Sequence, residues 1–257
     1  MAVEKIHWHP ALAASMELQF LKYHVEILTE HQLTTEPLKM DMLIIKKLSD
    51  EVIDNEIGNL FRRHNIIELK SPDDTLNIDV FYKVQAYAAL YKALGKTANE
   101  IPGDEITATI FRDIYPRGLF EELRRLGFHS ELFAPGIYHI GGRGLFPTQI
   151  LVGSEMDADK HLAFKVLSKR VKKEEIRAFI LAAEQYQTQG EQELAGRIFQ
   201  VSTSAQTNVY QALYEEDEAM SDALMEIMKK DIDQKVEQGV QKGMQQGMQQ
   251  GMQQGMQ

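Results

Sequence analysis

Over its first 150 residues the chain alternates short apolar runs with amphipathic stretches; after that the pattern is helical throughout. The runs Leu38-Lys39-Met40-Asp41-Met42-Leu43-Ile44-Ile45 and Asn65-Ile66-Ile67-Glu68-Leu69-Lys70-Ser71-Pro72 are rich in Ile and Leu and closed by polar residues or proline. They predict short buried strands over 38–47 and 63–70. Val80, Val84, Tyr87, Ala88 and Tyr91 recur at helical spacing, so 77–94 is predicted to be a helix that Gly95 stops. The β-branched alternation of 106–111 predicts a strand, 117–126 a short helix closed by Gly127, and 130–153 strand-like pieces around Pro135-Gly136 and Gly141-Gly142. Upstream, 11–31 reads as one amphipathic helix and 48–62 as a polar loop with a short helix ending near Gly58. Beyond 155, helices are predicted over 157–170, 174–188, 191–214 and 217–238, with an acidic break at Glu215-Glu216-Asp217-Glu218. The order helix, strand, strand, helix, strand is that of an α/β class protein with a mixed central sheet flanked by helices. The division this implies is an α/β domain over 1–154, an all-helical C-terminal extension over 155–238, and a tail over 239–257.

That tail is a repeat. Gly239, Gly243, Gly247, Gly251 and Gly255 recur every fourth residue, and Met244, Met248, Met252 and Met256 follow the last four in a Gly-Met-Gln-Gln unit. On an α-helix a four-residue step is about 400°, so each stripe drifts by about 40° per repeat, and each glycine costs about 1 kcal/mol of helix stability relative to alanine. The reading favoured is a frayed or disordered low-complexity tract over an oligomerisation coil, with homo-oligomerisation left open.

Composition narrows the class. Hydrophobic residues make up 44% of the chain, which is enough for a folded core. There is no cysteine, which excludes disulfides, thiolate metal sites and a cysteine nucleophile and fits a cytoplasmic protein. No apolar run is long enough to cross a membrane, so no membrane partner is expected. The formal net charge of −10 runs against a non-specific nucleic-acid binder. Local basic clusters soften that objection: Arg62-Arg63-His64, Arg124-Arg125, and the stretch Lys165, Lys169, Arg170, Lys172 and Lys173.

The candidate chemistry lies in the two apolar runs. A carboxylate inside a buried strand is costly unless it is paired or holds a metal. Glu68 and Lys70 point to one face because side chains alternate along a strand. If the two strands are neighbours, Asp41 joins them there. Two acids and a lysine at a sheet edge can hold Mg²⁺, with Mn²⁺ as a substitute, and hydrolyse a phosphodiester: the metal takes one or two carboxylates and keeps its waters, and the lysine orients the nucleophile or offsets charge. The plainer alternative for Glu68 and Lys70 is a salt-bridged pair at a solvated edge. Gly141-Gly142-Arg143-Gly144 lacks phosphate-loop spacing and reads as a hairpin turn. His7-Trp8-His9 reads as a mobile N-terminal segment rather than a metal pair, and Ser202, Thr203 and Ser204 have no triad partners nearby in sequence.

The segments 36–47, 61–72 and 79–87 resemble the PD-(D/E)XK nuclease superfamily and, more closely, the bacterial Rpn-type recombination-promoting, transposase-like nucleases. The likeness extends to about residue 235. It implies a restriction-endonuclease-like core and a Mg²⁺-dependent DNA endonuclease acting in recombination or on mobile elements. In that scheme Asp41 and Glu68 are metal ligands and Lys70 is the catalytic lysine. Met40 stands where the superfamily often has proline. The resemblance further implies a third metal ligand from the first helix, for which Glu17 is the candidate ahead of Glu26 and Glu30. It also implies a polar residue on the helix after Glu68-x-Lys70, for which Gln85 is the candidate, although no tyrosine stands four residues after it. Lys83 on that helix reads as a solvated charge. A nuclease fold that is catalytically silent and acts by protein interaction is the alternative.

Overall fold

In a computed structural model of the chain, the structure describes residues 8–30, 39–46, 52–216, 220, 222–227 and 229. The Gly-Met-Gln-Gln repeat and His7 lie outside them. Helix α1 (Trp8–Phe20) leads into strand β1 (Val25–Thr29), followed by β2 (Met42–Lys46) and β3 (His64–Leu69). Helix α2 (Ile78–Ala93), β4 (Ile106–Arg112), α3 (Arg117–Arg125), β5 (His129–Ala134), β6 (Ile137–Gly141) and β7 (Thr148–Val152) complete the sheet layer. Then come α4 (Ala158–Lys165), α5 (Lys173–Glu184), α6 (Gln189–Ala205) and α7 (Thr207–Glu216).

The seven strands form one sheet in the order β1-β2-β3-β4-β7-β6-β5. The centre, β3-β4-β7, is parallel, and antiparallel pairs flank it on both sides. The molecule is therefore of the mixed α/β class. Parallel strands need a crossover, and α2 supplies it between β3 and β4, so those strands are covered on both faces and read as near-continuous apolar runs.

Alternation divides the core in two. Leu43, Ile66, Ile110 and Ile150 point to the face covered by α2 and α3. Met42, Ile44, Ile67, Leu69, Phe111 and Leu151 point to the other, where they share one apolar core with α1 and α4 to α7. The predicted helical extension thus packs directly on the sheet. Helix α2 begins where Asn77 caps the Val80 N–H (3.1 Å) and carries Phe81, Val84, Ala88 and Tyr91 into the first core. Glycine matters at Gly136, where φ is +73° and an added Cβ would meet Val152 O and Met156 N at 2.7 Å, so only glycine lets the β5–β6 turn lie on the end of β7.

Three boundaries differ from the sequence reading. The predicted helix over 11–31 ends at Phe20 and the chain enters the sheet as edge strand β1. Its half-buried side chains are fixed by pairing with β2, which no local pattern reveals. Trp8, expected in a mobile segment, starts α1 and is buried. The helix predicted over 191–214 breaks at Gln206, whose side chain donates to Ser168 O (2.6 Å). Gly141 is the last residue of β6, paired with His129, and Gly142, at φ +116°, opens the connection to β7.

Candidate active site

The antiparallel register of β2 and β3 pairs Met42 with Ile67 and Leu43 with Ile66, so one step further Asp41 stands opposite Glu68. The Asp41 carboxylate is held there by the Leu69 N–H, which donates to Oδ2 (2.7 Å). Parity puts Glu68 on the face of Ile66, under α2, and Lys70 follows two residues on, with its backbone N–H donating to Phe111 O (2.9 Å). The structure therefore brings Asp41, Glu68 and Lys70 together at the end of β3 where the parallel strands point, the edge at which open α/β sheets present ligands.

Glu68 is 2% exposed, so its charge must be compensated. Two ammonium groups do this at one oxygen: Lys70 Nζ lies 2.7 Å and Lys83 Nζ 2.5 Å from Oε1. Asp41 is less satisfied. Burial, and next the neighbouring Glu68 charge, push its carboxyl above the ordinary aspartate value, outweighing the Leu69 hydrogen bond and the charges of His9 and Lys70. Burial pulls the Lys83 ammonium down, but the hydrogen bond and charge of Glu68 outweigh it, so Lys83 titrates above an ordinary lysine and stays protonated at neutral pH.

The remaining candidates are elsewhere. Glu17 lies eight residues along α1 from His9, about 12 Å of helix. Burial raises its carboxyl and Arg197 of α6 pulls it back, whereas the charges felt by Asp41 do not include it. Glu26 is on β1. Gln85 is buried and fixes the entry to β7: its Nε2 donates to Thr148 Oγ1 (2.7 Å), and its Oε1 accepts from the Leu145 and Phe146 N–H groups (3.1 and 3.2 Å). Lys83, read from sequence as a solvated charge, is the α2 residue that reaches Glu68. The signal that could have found it is positional: it lies in the second turn of a helix that must cross over β3. The basic stretch is largely spent on local pairs, Lys165 with Glu175, Lys169 with Asp73 and Lys173 with Glu216.

The donor set fits a hard divalent cation. Asp41 Oδ1 and Glu68 Oε2 accept no hydrogen bond among the described residues, and a cation between them would relieve the repulsion that raises Asp41. Mg²⁺ binds through one or two carboxylates and otherwise water. Among the described residues no group of three or more His, Cys, Asp or Glu side chains is arranged around one metal position.

A cavity of about 840 Å³ lies away from this edge, beside Gln19, Glu56, Lys160, His161 and Glu191. There Glu56 Oε1 accepts from Lys160 Nζ (2.5 Å) and Oε2 faces His161 Nε2 (3.2 Å). The Lys160 hydrogen bond takes the Glu56 carboxyl below its ordinary value, against some burial, so this acid is already satisfied.

No protein-family model, curated protein or solved structure matches the chain. Among the described residues no helix is long and apolar enough to cross a membrane.

Proposed function

We propose that the chain is a metal-dependent DNA endonuclease of the PD-(D/E)XK superfamily, of the Rpn type and with a restriction-endonuclease-like core, acting in recombination or on mobile elements. The observation that carries this reading is the register that sets Asp41 opposite Glu68 with Lys70 on the same face. Asp41 and Glu68 would hold Mg²⁺ or Mn²⁺. When bound, the metal supplies a water of lowered pKa and offsets charge on the phosphate.

The side chains supply the rest. The Leu69 N–H fixes the Asp41 carboxylate, as partners of metal ligands commonly do. Lys70 sits where it can orient the attacking water, take its proton, or meet the charge that develops on the phosphate. Lys83 is held as an ammonium by Glu68 and so donates rather than accepts, which suits it to stabilising a phosphate oxygen in the transition state.

Cleavage of supercoiled plasmid with Mg²⁺, Mn²⁺ or EDTA, by wild type beside Lys70→Ala, tests this. Metal-dependent nicking that vanishes in the variant supports it; equal cutting by both overturns it. A second reading, a silent nuclease-fold module acting through protein contacts, draws on the two lysines that already neutralise Glu68. Absence of cutting by wild type with either metal favours that reading, and light scattering with and without 239–257 tests its assembly part.

A further inference from the structure

The edge that carries Asp41, Glu68 and Lys70 holds further charged side chains: Asp74, whose carboxyl feels the Lys70 charge, and an arginine. Arg112 is the last residue of β4. The parallel register pairs Glu68 with Ile110 and Leu69 with Phe111, and the Lys70 N–H extends it by donating to Phe111 O (2.9 Å). Lys70 and Arg112 are therefore neighbours on adjacent strands, about 4.8 Å apart along the ladder direction. Alternation places Arg112 on the face of Ile110 and Ala108, which is the face of Ile66 and Glu68. On its far side it pairs with Val152, which belongs to the same core. Asp41, Glu68 with Lys70, and Arg112 thus come from three consecutive strands, β2, β3 and β4, on one face at one edge.

Arg112 is half-buried and has no ion pair or hydrogen bond through its side chain among the described residues, and its Nε is shut off from solvent. Most other arginines differ, Arg177 being the one among the described residues that also has a solvent-shut Nε. Arg62, Arg63, Arg125 and Arg197 each meet an acceptor, and Arg117, Arg124, Arg143 and Arg170 are exposed to water. A guanidinium cannot shed its proton to escape burial, and an unsatisfied buried donor on a charged group is costly. The carboxylates close by in sequence or register each meet other groups and make no ion pair with Arg112 among the described residues. Glu68 holds Lys70 and Lys83, and Asp113, which alternates to the opposite face, accepts from the Lys169 N–H (3.0 Å). In a chain with a formal charge of −10, this guanidinium makes no ion pair among the described residues although it lies at the candidate edge. A planar fork of donors matches two oxygens of one phosphate.

We infer that Arg112 is a phosphate-binding residue, whose guanidinium takes the non-bridging oxygens of a DNA backbone phosphate next to the one held at Asp41 and Glu68. The identity of the anion rests on the nuclease reading; the existence of an anion site beside Lys70 rests on the register and on the unpartnered guanidinium.

The test is anisotropy of a labelled DNA duplex with the full chain carrying Lys70→Ala, with and without Arg112→Gln, in Mg²⁺ across a salt series. Thermal melts confirm the fold. Loss of one phosphate contact predicts binding weaker by about five- to tenfold and a salt slope lower by about one. Arg112→Lys keeps the charge and loses the fork, so it retains the slope while weakening binding by about threefold, and it carries the test if Arg112→Gln does not fold. Unchanged affinity and slope overturn the proposal. Plasmid cleavage by the otherwise native chain separates the two readings. If it cuts nothing but duplex binding still falls in Arg112→Gln, the nuclease reading is lost and the anion site stands. If it cuts and Arg112→Gln binds normally, the reverse holds. If it neither cuts nor binds DNA, both fall.

Discussion

Glu68 and Glu56 each meet two basic side chains, Lys70 and Lys83 in one case, Lys160 and His161 in the other. Glu56 is one acid shared between two bases at the rim of a cavity, and the pairing draws its carboxyl down. Glu68 is almost fully buried and has Asp41 opposite it, whose carboxyl is driven up by burial and by that second negative charge. The first cluster is electrostatically complete. In the second, two lysines offset the charge of Glu68 while the Asp41 carboxyl beside it is still raised, and a perturbed buried carboxylate is a feature that functional sites often share. A cavity of about 840 Å³ lies at Glu56 instead. We propose the chemistry at the Glu68 edge because the perturbed carboxyl, Asp41, lies there.

The strongest way to break this comparison is Lys70→Ala. If the Glu68 edge is catalytic, metal-dependent cleavage falls by about a hundred- to ten-thousandfold, the range for losing a positioned acid–base group. The far-ultraviolet circular dichroism should be unchanged, because Lys83 still neutralises Glu68. Lys83→Ala comes next. It removes a charge stabiliser that is 40% exposed, so the loss should be smaller, about ten- to hundredfold, and should appear in kcat with little change in KM. Cleavage by Lys83→Ala at the wild-type rate would return Lys83 to a purely structural role.

The legibility of the sequence followed the same divide. The apolar runs around Asp41 and Glu68 announced buried strands, and period-two alternation placed Glu68 and Lys70 on one face before any pairing was known. That Asp41 stands opposite Glu68 was conditional, because register is a tertiary fact. Lys83 was hidden for that reason: on α2 it looks like any solvated lysine, and only the crossover of α2 above β3 brings it to the carboxylate. The sequence predicts helix through Val25–Thr29 as part of 11–31, and pairing with β2 outweighs that local preference. Glu17 was proposed from resemblance, and the packing of α1 on α6 gives it Arg197 as its neighbouring charge.

A smaller effect sharpens the electrostatic contrast. Asp41→Asn keeps an acceptor for the Leu69 N–H and removes the charge that Glu68 repels. Because the folded-state value is raised, the unfolded chain releases this proton first as pH rises past 3.8, the ordinary aspartate value. Stability therefore falls with rising pH from there up to the folded-state value, and the loss is complete above it. In EDTA at neutral pH, Asp41→Asn should melt above wild type, and the gain should disappear below the ordinary value. Mg²⁺ should narrow the gap by stabilising wild type alone. A variant that melts below wild type in EDTA at neutral pH would mean that the Leu69 hydrogen bond outweighs the repulsion.

Glu56→Gln is the smallest change and has the opposite sign. The folded-state value of Glu56 lies below the ordinary 4.5, so its contribution to stability is present above 4.5 and is lost as pH falls through the lowered value. At neutral pH the variant should melt slightly below wild type, and at pH low enough to protonate Glu56 the two should coincide. The loss stays small since Lys160 is exposed and water replaces much of what it gives up. Burial keeps His161 below its ordinary value, so the imidazole is neutral at pH 7 and can still donate from Nε2 to the glutamine oxygen. Cleavage should stay within about twofold of wild type, as for a surface change remote from the site. A large loss of cutting in Glu56→Gln with an unchanged melt would move the chemistry to the cavity and reverse the assignment of the two clusters.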